Sequence, residues 1–134
     1  MAKYKKKLDA DIRCLLEYGL TIFGGKSGEY PQKLYKALMN SQTVLTVWDD
    51  ARLVGLIRVL DDSEMLAQIH YVLVHPEYQG QGIAGRMVEY IKEKYKNFMY
   101  LELMPEDKNN VPFYEKHGFH VMENGAAMQI CNIN

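Results

Sequence analysis

Apolar positions along this chain switch between a two-residue period and a helical one, and each switch marks an expected element. Lys3 to Lys7 fits a short edge strand, after which Asp9 or Asp11 caps a helix whose Ile12, Leu15 and Leu16 share one face and which Gly19 closes. Phe23 to Gly28 is a glycine-rich loop, long for a small domain and therefore placed near a substrate entrance. Tyr30-Pro31 opens a second helix carrying Leu34, Ala37 and Leu38, since proline suits a first helical turn. Thr43 to Trp48 and Leu53 to Leu60 are β-branched and apolar runs around the turn Asp49-Asp50-Ala51-Arg52, and they predict an antiparallel hairpin.

Asp61-Asp62-Ser63 makes a further turn into Met65 to Val74, whose nearly continuous apolar end suggests a central strand covered on both faces and stopped by His75-Pro76. Ile83, Met87, Tyr90, Ile91 and Tyr95 then recur at helical spacing, and Phe98 to Leu103 returns as a strand. Strand, helix and strand in that order predict a right-handed βαβ unit with parallel strands. A short helix from about Asn110 to His117, closed by Gly118, precedes Phe119 to Met122 and Ala126 to Ile133, which Asn124-Gly125 would join as a hairpin. The expected class is mixed α/β, with about seven strands and four helices in one domain spanning 1-134.

Composition narrows the function. With 134 residues, 48% of them apolar and 25% charged, the chain can bury one core but not two. No stretch approaches the roughly 20 apolar residues of a bilayer span, and the N-terminus lacks the apolar region of a secretory signal, so a soluble cytoplasmic protein without a membrane partner is expected. A net charge of -1 argues against nucleic acid as a partner, and the Lys3 to Lys7 cluster reads as a solvated strand end. Cys14 and Cys131 form no disulfide framework or CxxC pair and read as reduced, packed thiols.

The chemistry is concentrated in Tyr71 to Ala84, where a strand feeds the glycine loop Gln79-Gly80-Gln81-Gly82 and then a helix. Unpaired N–H groups of a first helical turn, the helix dipole and glycine's close approach together make an anion site fit for a diphosphate. A Walker loop needs Lys followed by Ser or Thr, absent here, and the dinucleotide fingerprint is met only in part by Gly80, Gly82 and Gly85. A tight turn without a ligand is the remaining alternative.

Gln79-Gly80-Gln81-Gly82-Ile83-Ala84 resembles the Q/R-x-x-G-x-G/A loop with which the GNAT superfamily of N-acyltransferases holds the pyrophosphate of acetyl-CoA. The preceding Val72-Leu73-Val74-His75-Pro76 and the later Phe113-Tyr114-Glu115-Lys116-His117-Gly118-Phe119 are similar to that family's strand before the loop and to its F-Y-E-K-x-G-F segment. The resemblance implies a GNAT-like domain with a central V-shaped mixed sheet, acetyl-CoA as cosubstrate, and acetyl transfer to a primary amine. It implies that Val72 and Val74 offer backbone groups to the acetyl and pantetheine portions, that Gln79, Gly80, Gln81, Gly82, Ile83 and Ala84 hold the pyrophosphate, and that Asn109 lies in the region of a pantetheine contact, with helix capping as its other reading. Tyr114 takes the place of the acid beside the sulfur.

An acceptor amine with an ordinary pKa of about 10.4 is mostly protonated at neutral pH and must lose a proton before attack. Some relatives use a glutamate on the central strand as base; counting back from the glycine loop puts Gln68 there, which cannot take a proton. His70, two residues on, should share its face and is the candidate base, with Glu102 or a water chain as other routes. His75, His117 and His120 lack metal-ligand spacing, and an activated thioester needs no Lewis acid, so no metal is expected. A small-molecule amine is the expected acceptor; a peptide or protein amine, or an acyl-CoA sensor without turnover, are the alternatives. Dimers are common among similar proteins, but no sequence feature identifies a homodimer interface.

Overall fold

The computed structural model of the protein describes residues 3–6 and 29–132. The expected first helix, the Phe23 to Gly28 loop and Cys14 lie outside them. The chain divides into two compact units, Met1–Leu103 and Met104–Asn134.

In the first unit, five strands stand in the order β1-β2-β3-β4-β5: β1 (Lys3–Lys6), β2 (Thr43–Asp49), β3 (Arg52–Asp61), β4 (Leu66–Val74) and β5 (Tyr100–Leu103). The first four pair antiparallel, whereas β4 and β5 are parallel, as the βαβ reading required. Helix α1 (Pro31–Met39) starts at the expected proline, and α2 (Ile83–Lys94) fills the β4 to β5 crossover.

Cross-strand partners share a sheet face, so the register assigns each helix its side. Val44 and Arg58 pair on one face with Thr46 and Leu56, while Val47 and Gly55 pair on the other with Leu45 and Ile57. Leu34 and Leu38 of α1 are buried with Val44, Trp48, Leu53 and Leu56, which places α1 on the first face. A Cβ on Gly55 would stand 3.1 Å from Ile83 Cγ2 and 3.2 Å from Val47, which places the start of α2 on the second. Leu38, Leu45, Leu56, Ile57, Met87 and Ile91 are fully buried, and each such side chain contributes about 1.5–3 kcal/mol relative to exposure.

Gly55 is therefore the spacer that lets α2 approach the sheet. Gly55→Ala is expected to displace the first turn of α2 and lower stability by about 1–3 kcal/mol; thermal melting checks the loss.

Two expectations about the sheet change. Strand β4 is not covered on both faces along its length: Ala67 and Ile69 are buried while Gln68 and His70 are exposed, and Tyr71 to Val74 are all half-buried. Pairing with β5, which covers an edge of β4 and neither face, runs only from Leu66 to Ile69. In the second unit, α3 (Val111–Lys116) follows a 3₁₀ turn at Lys108–Asn110, close to the expected short helix. The hairpin expected over Phe119 to Ile133 is not formed among the described residues, and the strand count stops at five. Gly125 N–H donates to Met122 O at 3.1 Å, so the turn is present. Its flanks lack the packed face that holds a ladder in register, for Val121, Met122, Met128 and Ile130 are all exposed. Cys131, in that same segment, is an exposed free thiol rather than a packed one.

Candidate active site

The geometry turns on Tyr71. Ile57 pairs with Val72 and Arg58 with His70, so Tyr71 is an extra residue on β4. It has φ +72, a conformation that costs a non-glycine residue about 1–2 kcal/mol. Its ring offsets that strain by packing against the α1 core cluster, lying 4.2 Å from the His70 ring and taking the Arg58 guanidinium at 5.8 Å.

Past this bulge β4 runs on without β5. His75 N–H donates to Val54 O at 2.8 Å, so by strand alternation the N–H and C=O of Leu73 also point to β3, and those of Val72 and Val74 point to the opposite edge. Among the described residues of the first unit no strand pairs with that edge. The Gln79 amide reaches Val74 O at 3.5 Å. The backbone groups of Val72 and Val74 therefore lie on an edge with which no described strand of the first unit pairs.

The edge leads into the glycine loop. Gly80 and Gly82 have φ +82 and +80, and open space surrounds a Cβ built on either. Gly82 is the N-cap of the twelve-residue α2 and supplies no side-chain cap. The N–H groups of the first α2 turn, including those of Ile83 and Ala84, have no partner within the helix. Gln79, Gly80, Gln81 and Gly82 are exposed, whereas Ile83 is buried and Ala84 half-buried.

A surface network fixes the approach to this loop. Tyr78 donates to Asp49 Oδ2, Arg52 forms an ion pair with Glu77 at 2.6 Å, and Glu77 N–H donates to His75 Nδ1 at 3.1 Å. The β2–β3 turn thereby holds the 3₁₀ turn Pro76–Tyr78, from which Gln79 starts. The hydrogen bond to Asp49 raises the Tyr78 pKa above its usual value.

On the α1 face of β4, Gln68 and His70 alternate outward as expected, and Glu102 of β5 pairs alongside Gln68. His70 Nδ1 lies 2.7 Å from Arg58 Nη1. Arginine only donates, so this imidazole nitrogen accepts; a proton added there would set two cations against each other. Arg58 Nε donates to Ser41 Oγ at 2.7 Å.

In the second unit Tyr114 sits mid-helix in α3, half-buried, with Phe113 and Phe119 edge-on at 5.0 and 6.0 Å. Burial raises its pKa above the usual value of a phenol, which keeps it protonated. Asn109 is exposed, and the cap of its turn comes from Asp107, whose Oδ1 accepts from Asn109 N–H at 2.9 Å. The N-cap of α3 is Asn110, which makes no side-chain cap hydrogen bond, so Asn109 does not cap the helix. Gly55, Tyr71 and Arg58 were missed from sequence; only a glycine inside an apolar strand carried a signal.

Known proteins agree with this architecture. The model of the acetyltransferase (GNAT) family matches residues 15–119. An uncharacterized N-acetyltransferase of Bacillus methanolicus is 29% identical over 117 residues, covering 87% of this chain and 92% of the relative. Among solved structures, an acetyltransferase of the GNAT family from Streptococcus pneumoniae TIGR4 superposes with a TM-score of 0.76 at 25% identity, over 100% of this chain and 98% of that one. A predicted acetyltransferase from Clostridium acetobutylicum, solved with acetyl-CoA, gives a TM-score of 0.70 at 17% identity, over 96% of each chain.

Proposed function

We propose, for a chain that belongs to the GNAT acetyltransferase family, that it moves an acetyl group from acetyl-CoA to a primary amine of a small molecule by direct attack through a tetrahedral intermediate. The observation that carries this reading is the Val72 to Val74 edge, with which no described strand of the first unit pairs, running into a solvent-facing glycine loop and a start of α2 without a side-chain cap. An extended pantetheine matches a strand edge, and its pyrophosphate matches helix N–H groups. The Clostridium structure supports acetyl-CoA as the donor.

In this reading the pyrophosphate rests on Gln79 to Ala84, and the backbone N–H of Val72 or Val74 faces the thioester oxygen as negative charge develops there. Asn109 contacts pantetheine. Tyr114 gives its proton to the departing thiolate as the carbon–sulfur bond breaks. The amine proton leaves towards the face that carries His70 and Glu102. Because Arg58 engages the Nδ1 lone pair of His70, Glu102 is the acceptor less hindered by its surroundings. Glu102→Gln is expected to lower kcat by about 10²-fold, more than His70→Gln does; comparing the acidic limbs of their pH–rate profiles checks the order. No metal enters the scheme. We place the enzyme in the cytoplasm, where acetyl-CoA and free amines meet, and no helix among the described residues is long and apolar enough to cross a membrane.

The test is thiol release from acetyl-CoA against a panel of amines at about pH 7 to 8, where thiolate and free amine are both accessible. Turnover on a small amine supports the reading. Binding of acetyl-CoA without turnover on any small or peptide amine points instead to a sensor.

A further inference from the structure

Arg58 lies on the α1 face of the sheet, and its guanidinium is half-buried with its pKa lowered by that burial. Burying a cation is costly without a counter-charge. Yet its contacts among the described residues are all uncharged: Nε donates to Ser41 Oγ at 2.7 Å, Nη1 to His70 Nδ1 at 2.7 Å, and the Tyr71 ring lies 5.8 Å away. The ion pairs among the described residues are Arg52–Glu77, Lys92–Glu89 and Lys96–Glu93; none includes Arg58.

The two anchors fix where the fork points. Ser41 is itself buried and donates to Ala37 O at 2.6 Å, so the Nε side of Arg58 is tied to the end of α1. His70 ties one Nη1 hydrogen. What remains is the end of the guanidinium, one hydrogen on Nη1 and two on Nη2, with no hydrogen bond to any described residue. That pair of nitrogens matches the spacing of a carboxylate or phosphate. Arg58 stands opposite His70, two residues before Val72, and two residues of extended chain span at most roughly 7 Å. A molecule bound there through an anionic group can place an amine within a few bonds' reach of the thioester.

We propose that Arg58 is the recognition point for an oxyanion carried by the acceptor, so that the acceptor is a short amine bearing a carboxylate or phosphate and not a plain cationic amine. The proposal deepens the acetyl-transfer reading above and rests on it for the position of the amine. The acceptor enters from the α1 face, on the side of the sheet opposite the start of α2 where the cofactor's pyrophosphate is held.

The experiment uses two matched pairs, β-alanine against β-alaninamide and phosphoethanolamine against ethanolamine, with the full chain saturated with CoA. Ligand-observed NMR titration reads their affinity, and thiol release from acetyl-CoA reads turnover. The wild type is expected to favour the anionic member of at least one pair by about tenfold or more, the pair concerned distinguishing carboxylate from phosphate. Arg58→Gln is expected to abolish that preference while acetyl-CoA titrates as before, and Arg58→Lys to retain part of it.

No anionic preference in the wild type, or a preference that survives Arg58→Gln, overturns the proposal. If Arg58→Gln no longer titrates acetyl-CoA, Arg58→Lys decides, since an unchanged preference in it is equally fatal. A preference that depends on Arg58 without thiol release leaves the anion site standing and counts against acetyl transfer; thiol release without any preference does the reverse.

Discussion

Tyr114→Phe is expected to reduce kcat by about 10²- to 10⁴-fold while the affinity for acetyl-CoA stays within about twofold of wild type. The substitution removes one oxygen from a half-buried ring, leaving the edge contacts to Phe113 and Phe119 in place, so the helix that carries it should survive. The pH profile sharpens the test. An acid catalyst works only while protonated, and burial raises the Tyr114 pKa above its usual value of about 10. Activity therefore persists through neutral and mildly alkaline pH and falls only as pH rises past that raised value. The variant should lose this alkaline limb together with most of its rate. A rate unchanged by the substitution would remove Tyr114 from the chemistry.

Gly82→Val carries the second large effect. Gly82 holds φ +80 at the first position before α2, a conformation that a β-branched residue adopts only with strain. There is room for the new side chain, because nothing stands within 4 Å of a Cβ built at this position. The cost is therefore conformational, about 1–2 kcal/mol, and is relieved by rotating the loop N–H groups away from the anion they would hold. Acetyl-CoA affinity should fall by about tenfold or more, since 1.4 kcal/mol corresponds to a factor of ten. Titration of the variant with acetyl-CoA and with S-acetylpantetheine separates the loss: the truncated ligand, which lacks the diphosphate, should bind wild type and variant alike.

Sequence and structure carry different parts of this account. The glycine loop was legible because backbone conformation is written directly in residue type there: Gly80 and Gly82 are the two positions with left-handed φ in the loop. The β2–β3 hairpin, the Pro31 helix start and the parallel return to β5 were equally readable, since turn residues and apolar period agree at each. Tyr71 was not, because nothing in a tyrosine announces a bulge; only the pairing of Ile57 with Val72 and Arg58 with His70 exposes it. Arg58 went unnoticed for a related reason, as its significance lies in having no charged partner among the described residues. The alternation of Phe119 to Ile133 promised strands that the described residues do not form, because period alone cannot supply the packed face a ladder needs.

Family membership fixes the broad class, an acetyltransferase, and the β4 edge is the feature of this chain on which the proposed cofactor site rests. Both meet in one requirement, that acetyl-CoA binds along Val72 to Val74 and over Gln79 to Ala84. Isothermal titration of the purified protein with acetyl-CoA tests it most directly. The account predicts saturable binding of one equivalent at about micromolar affinity, weakened in the Gly82→Val protein. No heat of binding at any workable concentration would contradict it.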